Sequence, residues 1–136
     1  MSRPLSLLLL FHAVLTAAAG VVLIAAPEKI PATVGIQLDR SAYLICYLLG
    51  AAEIAMAFLS FRSRRLADEQ SIRLIVSTFI LFHLVTAGVE LYALGQVGSK
   101  GLWGNVALRV VVSMLFLRFM PRGQFSKNGG YQNPER

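Results

Sequence analysis

Residues 4–26, PLSLLLLFHAVLTAAAGVVLIAA, form an uncharged stretch that ends at Pro27. A helix needs about 20 apolar residues to cross the hydrocarbon core of a bilayer, so this stretch predicts a membrane-spanning helix. Three further apolar segments follow it, at 41–61, 72–95 and 104–120. Backbone polar groups cannot stay unpaired in lipid, which excludes open strands. The sequence therefore predicts an all-α polytopic membrane protein, an up-and-down bundle of four transmembrane helices.

The composition of the whole chain also indicates a membrane protein. Of 136 residues, 56% are hydrophobic and only 15% are charged, whereas a typical soluble domain has about 25% charged residues. The four spans leave no room for a separate soluble domain. We expect a single transmembrane domain over residues 1–136, with a polar, flexible tail over 121–136. Cys46 is the single cysteine, which excludes a disulfide framework within one chain.

The charged residues lie mostly at the ends of the apolar segments. The net charge is +6, but the cations form no continuous stripe, which excludes nucleic acid as a partner. Most cations fall on the side shared by the N-terminus, the second loop and the tail: Arg3, Arg62, Arg64, Arg65, Arg73, Arg118, Arg122, Lys127 and Arg136. The opposite side has Lys29, Arg40 and Lys100. The positive-inside rule then predicts a bacterial inner-membrane protein with both termini in the cytoplasm.

Each predicted helix carries one polar or small-residue face. Residues three or four apart share a face of a helix, and the polar residues of each span follow that spacing. The four faces are His12, Thr16 and Gly20; Cys46, Gly50, Glu53, Ala57 and Ser60; His83, Thr86 and Glu90; and Asn105, Arg109 and Ser113. We expect these faces to turn inward, away from lipid, where polar groups find partners and small residues allow close packing.

The depth of the polar residues predicts two layers. With a rise of about 1.5 Å per residue, His12 and Glu53 each lie roughly 12 Å from the cytoplasmic ends of their helices, and His83 lies roughly 16 Å from its own. Glu90 and Arg109 each lie roughly 8 Å from the outer ends of theirs. The expected arrangement is an inner cluster of His12, Glu53 and His83 and an outer Glu90–Arg109 pair.

Both layers have a structural and a functional interpretation. A pair of opposite charges within the membrane can simply hold helices together, which is the interpretation favoured for Glu90–Arg109. A carboxylate beside an imidazole can exchange a proton near neutral pH, so Glu53 and His12 are the candidate catalytic residues if the protein is an enzyme. The candidate ligand-binding residues are His83, Glu90, Arg109, Tyr47 and Asn105.

Other chemistry has less support in the sequence. No metal site is predicted, because no Glu-x-x-His pair or other ligand spacing occurs. Haem ligation by His12 and His83 stays open, since two histidines lie on different helices; the sequence leaves the identity of any cofactor unknown. Nucleophilic catalysis lacks a Gly-x-Ser-x-Gly turn. A quinone, isoprenoid or sterol-like ligand would suit the aromatic residues expected along the polar faces, which are Tyr43, Tyr47, Phe79 and Phe82.

Short motifs connect the chain with a known family. They are Phe11-His12 and Gly20 on the first helix, Pro27 after it, and Gly50-Ala51-Ala52-Glu53 on the second. With these motifs the chain resembles, over about residues 4–120, the broad DoxX-like group of small bacterial membrane proteins. The resemblance implies the four-helix fold. It also implies association with membrane redox assemblies, because some members are small subunits in thiosulfate–quinone oxidoreduction; it assigns no catalytic residue.

Three functions of different classes are consistent with these features. The first is binding of a lipophilic small molecule (quinone or isoprenoid-like), or a role as accessory subunit; the expected partners are the lipid bilayer and a second copy of the chain or a larger membrane complex. The second is a membrane-embedded acid–base enzyme, such as an isomerase or cyclase, that uses Glu53 and His12. The third is a small proton-coupled transporter that uses the same carboxylate.

Overall fold

The computed structural model describes residues 1–121, except for the side chain of Val97. This part of the chain contains four long helices, one short helix and a 3-10 turn. The elements are α1 (Arg3–Ala25), α2 (Lys29–Thr33), a 3-10 turn (Arg40–Ala42), α3 (Tyr43–Ser63), α4 (Glu69–Val97) and α5 (Gly101–Phe119). The helices α1, α3, α4 and α5 are long and apolar enough to cross a membrane. The predicted fold class, an all-α bundle of four transmembrane helices, is confirmed.

The helices begin and end within three residues of the predicted spans. The start of α1, the α3–α4 connection and the end of α5 lie together at what we call the N-terminal end of the bundle. The flexible tail predicted over 121–136 lies, beyond Pro121, outside the described residues. So do three of the cations assigned to the cytoplasmic side, which are Arg122, Lys127 and Arg136.

Local signals define both ends of α4. The Asp68 carboxylate accepts hydrogen bonds from the backbone N–H groups of Ser71 and Gln70, at 2.7 and 3.3 Å. These N–H groups have no partner within the helix, so Asp68 is an N-cap. At the other end, Gly98 has a φ of +66°, the left-handed conformation that terminates helices and that glycine adopts without strain. The length of α4 is therefore encoded at both termini.

The Asp68 cap predicts a pH-dependent contribution to stability. Hydrogen bonding by Ser71, and by the Gln70 N–H, lowers the pKa of the Asp68 carboxyl from its ordinary value of 3.8. A lowered pKa in the folded state means that the contribution is present above pH 3.8 and is lost as the pH falls through the folded-state pKa. We expect Asp68→Ala to lower the unfolding temperature at pH 7 by a few degrees, with the difference from wild type shrinking below pH 3.8.

Thermal unfolding in detergent, followed by circular dichroism across this pH range, measures the effect. Asp39→Ala is the matched control, because Asp39 precedes the 3-10 turn but its side chain makes no capping hydrogen bond. Equal losses from the two substitutions would contradict the capping role of Asp68.

The four spanning helices form two close antiparallel pairs. The closest backbone approaches are between α1 and α3 and between α4 and α5. In the first pair, a Cβ atom built on Gly20 would lie 2.8 Å from the backbone oxygen of Gly50, and one built on Gly50 would lie 2.8 Å from the oxygen of Gly20. Only glycine allows two helix backbones to approach so closely. The glycine contact therefore fixes how α1 lies along α3.

A compact apolar cluster joins the two pairs at the N-terminal end. Its fully buried members are Leu5, Leu9, Ile72, Val76, Phe79 and Phe116, contributed by α1, α4 and α5. Lipid is as apolar as these side chains, so their close packing, rather than removal from water, is what stabilises the cluster. Large apolar residues on the outward faces remain exposed, as expected for a surface in contact with lipid.

The two connections at the opposite end contact each other. The Ser99 hydroxyl donates a hydrogen bond to the backbone oxygen of Val34, and a Cβ built on Gly101 would lie 2.7 Å from the oxygen of Thr33. The segment after α2 is thereby packed against the start of α5, and Val34 is buried there. This contact joins the α1–α3 pair to the α4–α5 pair at the end where the apolar cluster is absent.

Candidate functional site

The predicted polar faces are the faces that turn inward. The buried members are His12, Gly20, Cys46, Gly50, Ala57, Ser60, His83 and Ser113, and the half-buried members are Thr16, Glu53, Thr86, Glu90, Asn105 and Arg109. The buried polar side chains lie mostly toward the N-terminal end, and the half-buried ones lie further from it. This gradient separates a closed histidine cluster from a more open charged layer.

The closed cluster is a hydrogen-bonded pair of histidines. The Nε2 atoms of His12 and His83 lie 3.0 Å apart, and Nδ1 of His12 lies 3.1 Å from the hydroxyl oxygen of Ser60. That hydroxyl lies 2.9 Å from the backbone oxygen of Leu9 and donates its proton there. Three of the spanning helices, α1, α3 and α4, are therefore linked by one chain of polar contacts inside the bundle.

The direction of each hydrogen bond follows from this chain. Because the Ser60 proton is donated to Leu9, the Ser60 oxygen must accept the N–H of His12 Nδ1. In a neutral pair, Nε2 of His12 then accepts the N–H of His83 Nε2, which leaves Nδ1 of His83 as a bare acceptor; the network assigns these tautomers. That Nδ1 atom is buried and has no hydrogen-bond partner among the described residues.

Aromatic rings enclose the histidine pair. The ring of Phe79 lies 4.8 Å from that of His12, and the ring of Phe116 lies 5.3 Å from it, centroid to centroid. Phe82 lies 5.5 Å from His83. The sequence predicts Phe79 and Phe82 near the polar faces, but not Phe116. The position of Phe116, three residues after Ser113 on the same face of α5, is the signal that could have identified it.

The predicted outer pair is present as an ion pair. Nε of Arg109 donates a hydrogen bond of 2.9 Å to Oε1 of Glu90, and the two side chains are 22% and 13% exposed. The second carboxylate oxygen of Glu90, Oε2, is buried without a hydrogen-bond partner in the described part of the chain. Only one of the five N–H donors of Arg109 is used by this pair. The pair thus holds α4 to α5 and keeps spare acceptor and donor capacity.

The predicted inner cluster of His12, Glu53 and His83 is wrong for Glu53. Both ring nitrogens of His12 are occupied by Ser60 and His83. Glu53 precedes Ser60 by two helical turns, about 10 Å along α3. Glu53 instead lies on the side of the histidine pair away from the N-terminal end of the bundle, as Glu90 and Arg109 do. Glu53 therefore belongs with the outer pair, and we call Glu53, Glu90 and Arg109 the charged layer.

The register of α1 against α3 explains this correction. Counting residues from the helix ends assumed that the two helices are flush. In the structure, Gly20 faces Gly50 and Arg64, beyond the end of α3, donates a hydrogen bond to Ser6 within α1, so α1 extends past α3 at the N-terminal end. His12 is consequently opposite Ser60, and the acid–base pair of Glu53 with His12 does not form.

Two further candidate residues differ in their placement. Tyr47 is 41% exposed and packs edge-on against Tyr43, with ring centroids 6.5 Å apart; it does not line the inward face, since it falls beside the stripe that contains Cys46. Asn105 is half-buried one turn before Arg109, on the same face of α5. Asn105 thus accompanies the charged layer, and Tyr47 belongs to the lipid-facing surface.

The two histidine nitrogens lie too close together for both to ligate one haem iron. A metal between two imidazole nitrogens needs them about 4 Å apart, twice a metal–nitrogen distance of about 2.0 Å, whereas the His12 and His83 Nε2 atoms lie 3.0 Å apart. Within residues 1–121, no group of three or more histidine, cysteine, aspartate or glutamate side chains is placed to hold a metal ion. The arrangement is instead suited to hydrogen bonding.

The chemistry of the site follows from its unpaired polar atoms. His83 Nδ1 and Glu90 Oε2 are buried acceptors that receive no hydrogen bond from any residue within 1–121, and Arg109 has N–H donors that the ion pair does not use. Such atoms bind hydroxyl and carbonyl groups. Comparison with protein-family models, with curated proteins and with solved structures found no match to this chain.

Proposed function

We propose that this multi-pass membrane protein binds a lipophilic molecule with a polar, hydroxylated head group between its two helix pairs. The observation that carries the proposal is the pair of unsatisfied acceptors, His83 Nδ1 and Glu90 Oε2. A buried polar atom without a partner costs about 1–3 kcal/mol. A head group that donates hydrogen bonds to both atoms would offset that cost.

The positions of His83 and Glu90 along α4 favour a quinol over a simple isoprenoid alcohol. His83 and Glu90 lie two turns apart on α4, about 10 Å along its axis. An aromatic ring with a hydroxyl group at each end, hydrogen-bonded at about 2.8 Å on both sides, has a total length close to this separation. A hydroquinone has a hydroxyl at each end of such a ring. The carbonyl of a quinone, the oxidised form of the same head group, would accept a hydrogen bond from Arg109 instead.

Access from the lipid supports the same ligand class. The charged layer and Thr86 are only half-buried, although they lie well inside helices that are long enough to span a membrane. A polar head group could reach them from the bilayer while its isoprenoid tail stays among lipid chains. The neighbouring outward faces are apolar, with side chains such as Val85 and Val89 exposed, so they suit the tail.

The cellular setting is part of the proposal. The described cations are concentrated at the N-terminal end, which carries Arg3, Arg62, Arg64, Arg65, Arg73 and Arg118, against Lys29, Arg40 and Lys100 at the other. The positive-inside rule supports a bacterial inner membrane with both termini in the cytoplasm. The resemblance to the DoxX-like group supports an accessory role beside a quinone-linked redox assembly, with a larger complex or a second copy of this chain as partner.

Quinol binding tests the proposed function directly. Decylubiquinol, a short-tailed quinol, is titrated into the protein reconstituted in phosphatidylcholine nanodiscs, and the bound quinol is quantified after separation. His83→Phe removes the free acceptor but keeps a flat ring beside Phe116. We expect it to weaken quinol binding about tenfold, because one hydrogen bond is worth about 1–1.5 kcal/mol.

Tyr92→Phe is the matched control. Tyr92 lies on the same helix and is 73% exposed, so losing its hydroxyl should change quinol affinity less than about twofold. Circular dichroism and size-exclusion chromatography confirm that both variants are folded. The proposal fails if the wild type binds no quinol, or if His83→Phe binds it as tightly as Tyr92→Phe does.

A further inference from the structure

A concave surface lies far from the charged layer, at the N-terminal end of the bundle. It is a groove of about 510 Å³ between the first turns of α4 and the end of α5, lined by Arg73, Met114, Leu117, Arg118, Met120 and Pro121. This volume falls within the range of small-molecule sites, about 300–1,000 Å³. Arg73 and Glu90 are 17 residues apart on α4, about 25 Å, so the groove is separate from the proposed quinol site.

The groove combines two guanidinium groups with an apolar floor. Arg73 and Arg118 are both exposed, and neither makes an ion pair with another described residue. Guanidinium groups bind phosphate in a bidentate manner and are more weakly hydrated than ammonium groups. The other lining residues are methionines, a leucine and a proline, which offer an apolar surface beside the two charges. The groove therefore suits a ligand that is anionic at one end and apolar at the other.

The surrounding charges have the same sign. Arg3, Arg62, Arg64 and Arg65 lie at this end of the bundle, and the acidic residues there, among those described, are Asp68 and Glu69. Clusters of arginine beside membrane-spanning helices attract anionic lipid head groups, and basic clefts between such helices bind them. Charge complementarity thus selects the occupant from among the lipids of the adjoining leaflet.

We propose that the groove between α4 and α5 binds an anionic phospholipid, with the phosphate on Arg73 and Arg118 and the acyl chain along Met114 and Leu117. The site is independent of the proposed quinol function, since it shares no residue with the charged layer. A lipid held there would bridge the start of α4 and the end of α5, and would thereby strengthen the pair of helices that carries Glu90 and Arg109.

Native mass spectrometry of the full chain tests this proposal. The protein is reconstituted in mixed phosphatidylglycerol and phosphatidylcholine, released from the bilayer, and the retained lipid is counted. We expect the wild type to retain phosphatidylglycerol selectively. A direct guanidinium–phosphate hydrogen bond contributes about fivefold in affinity, so Arg73→Gln with Arg118→Gln should reduce phosphatidylglycerol retention about twenty- to thirtyfold.

A double variant of equal charge change separates a site from general attraction. Arg3→Gln with Arg65→Gln removes two exposed arginines from the same end that do not line the groove, and it should reduce retention by less than about fivefold. An equal loss in the two double variants would overturn the proposal. Displacement of the lipid by excess inorganic phosphate would also overturn it, since the site would then recognise phosphate alone.

Discussion

Replacing Arg109 with methionine is expected to destabilise the protein by about 3 kcal/mol, the largest effect of any single substitution proposed for this chain. The substitution leaves the Glu90 carboxylate, whose side chain is 13% exposed, without its 2.9 Å partner inside the bundle. Methionine has a similar reach and fills the space, so the loss reports the missing charge. Unfolding by titration with sodium dodecyl sulfate in mixed micelles measures it.

Two companion variants identify the cause of that loss. Arg109→Met combined with Glu90→Met should recover most of the stability, because a buried ion pair replaced by apolar side chains is often neutral or stabilising. Arg62→Met, at an exposed position of another spanning helix, should cost less than about 0.5 kcal/mol. If Arg109→Met is no less stable than Arg62→Met, the ion pair does not hold α4 to α5.

The fold and the Glu90–Arg109 pair could be predicted because both follow from information local to a helix or hairpin. The length and polarity of each segment set the spans, and the helical repeat sets the inward faces. α4 and α5 are joined by a tight connection, Gly98 to Lys100. Residues that are equally far from this connection on α4 and α5 therefore lie at the same depth in the bundle, and Glu90 contacts Arg109 as predicted.

The histidine pair could not be predicted in the same way. α1 and α3 are joined by 17 residues that include α2 and the 3-10 turn, so their relative position is not set by the connection. It is set by the Gly20–Gly50 contact, whose geometry depends on both helices at once. The offset brings Ser60 to His12 and leaves Glu53 two turns away. The helical repeat predicts both Ser60 and Gly50 on the inward face, but it carries no information on the register of α1 against α3.

The same register leads to the second large effect. We expect Gly20→Val to destabilise the protein by about 2–3 kcal/mol, the usual cost of inserting side-chain atoms into a well-packed interior. A Cβ at this position would lie 2.8 Å from the backbone oxygen of Gly50 and 3.2 Å from the backbone nitrogen of Ile54. Backbone atoms cannot turn aside as a flexible side chain does, so α1 and α3 must separate or slide. The same detergent titration measures the loss.

Gly88→Val is the matched control, because a Cβ built on Gly88 meets nothing within 4 Å. It introduces the same side chain into the interior of a spanning helix and should leave stability within about 0.5 kcal/mol of wild type.

A slide of α1 along α3 would also break the 3.1 Å contact of His12 with Ser60 and disturb the 3.0 Å contact with His83. Gly20→Val should therefore weaken decylubiquinol binding as well, although glycine has no side chain to offer a ligand. Equal stability of the two valine variants would show that the glycine contact does not set the register, and the position of the histidine pair would then need another cause.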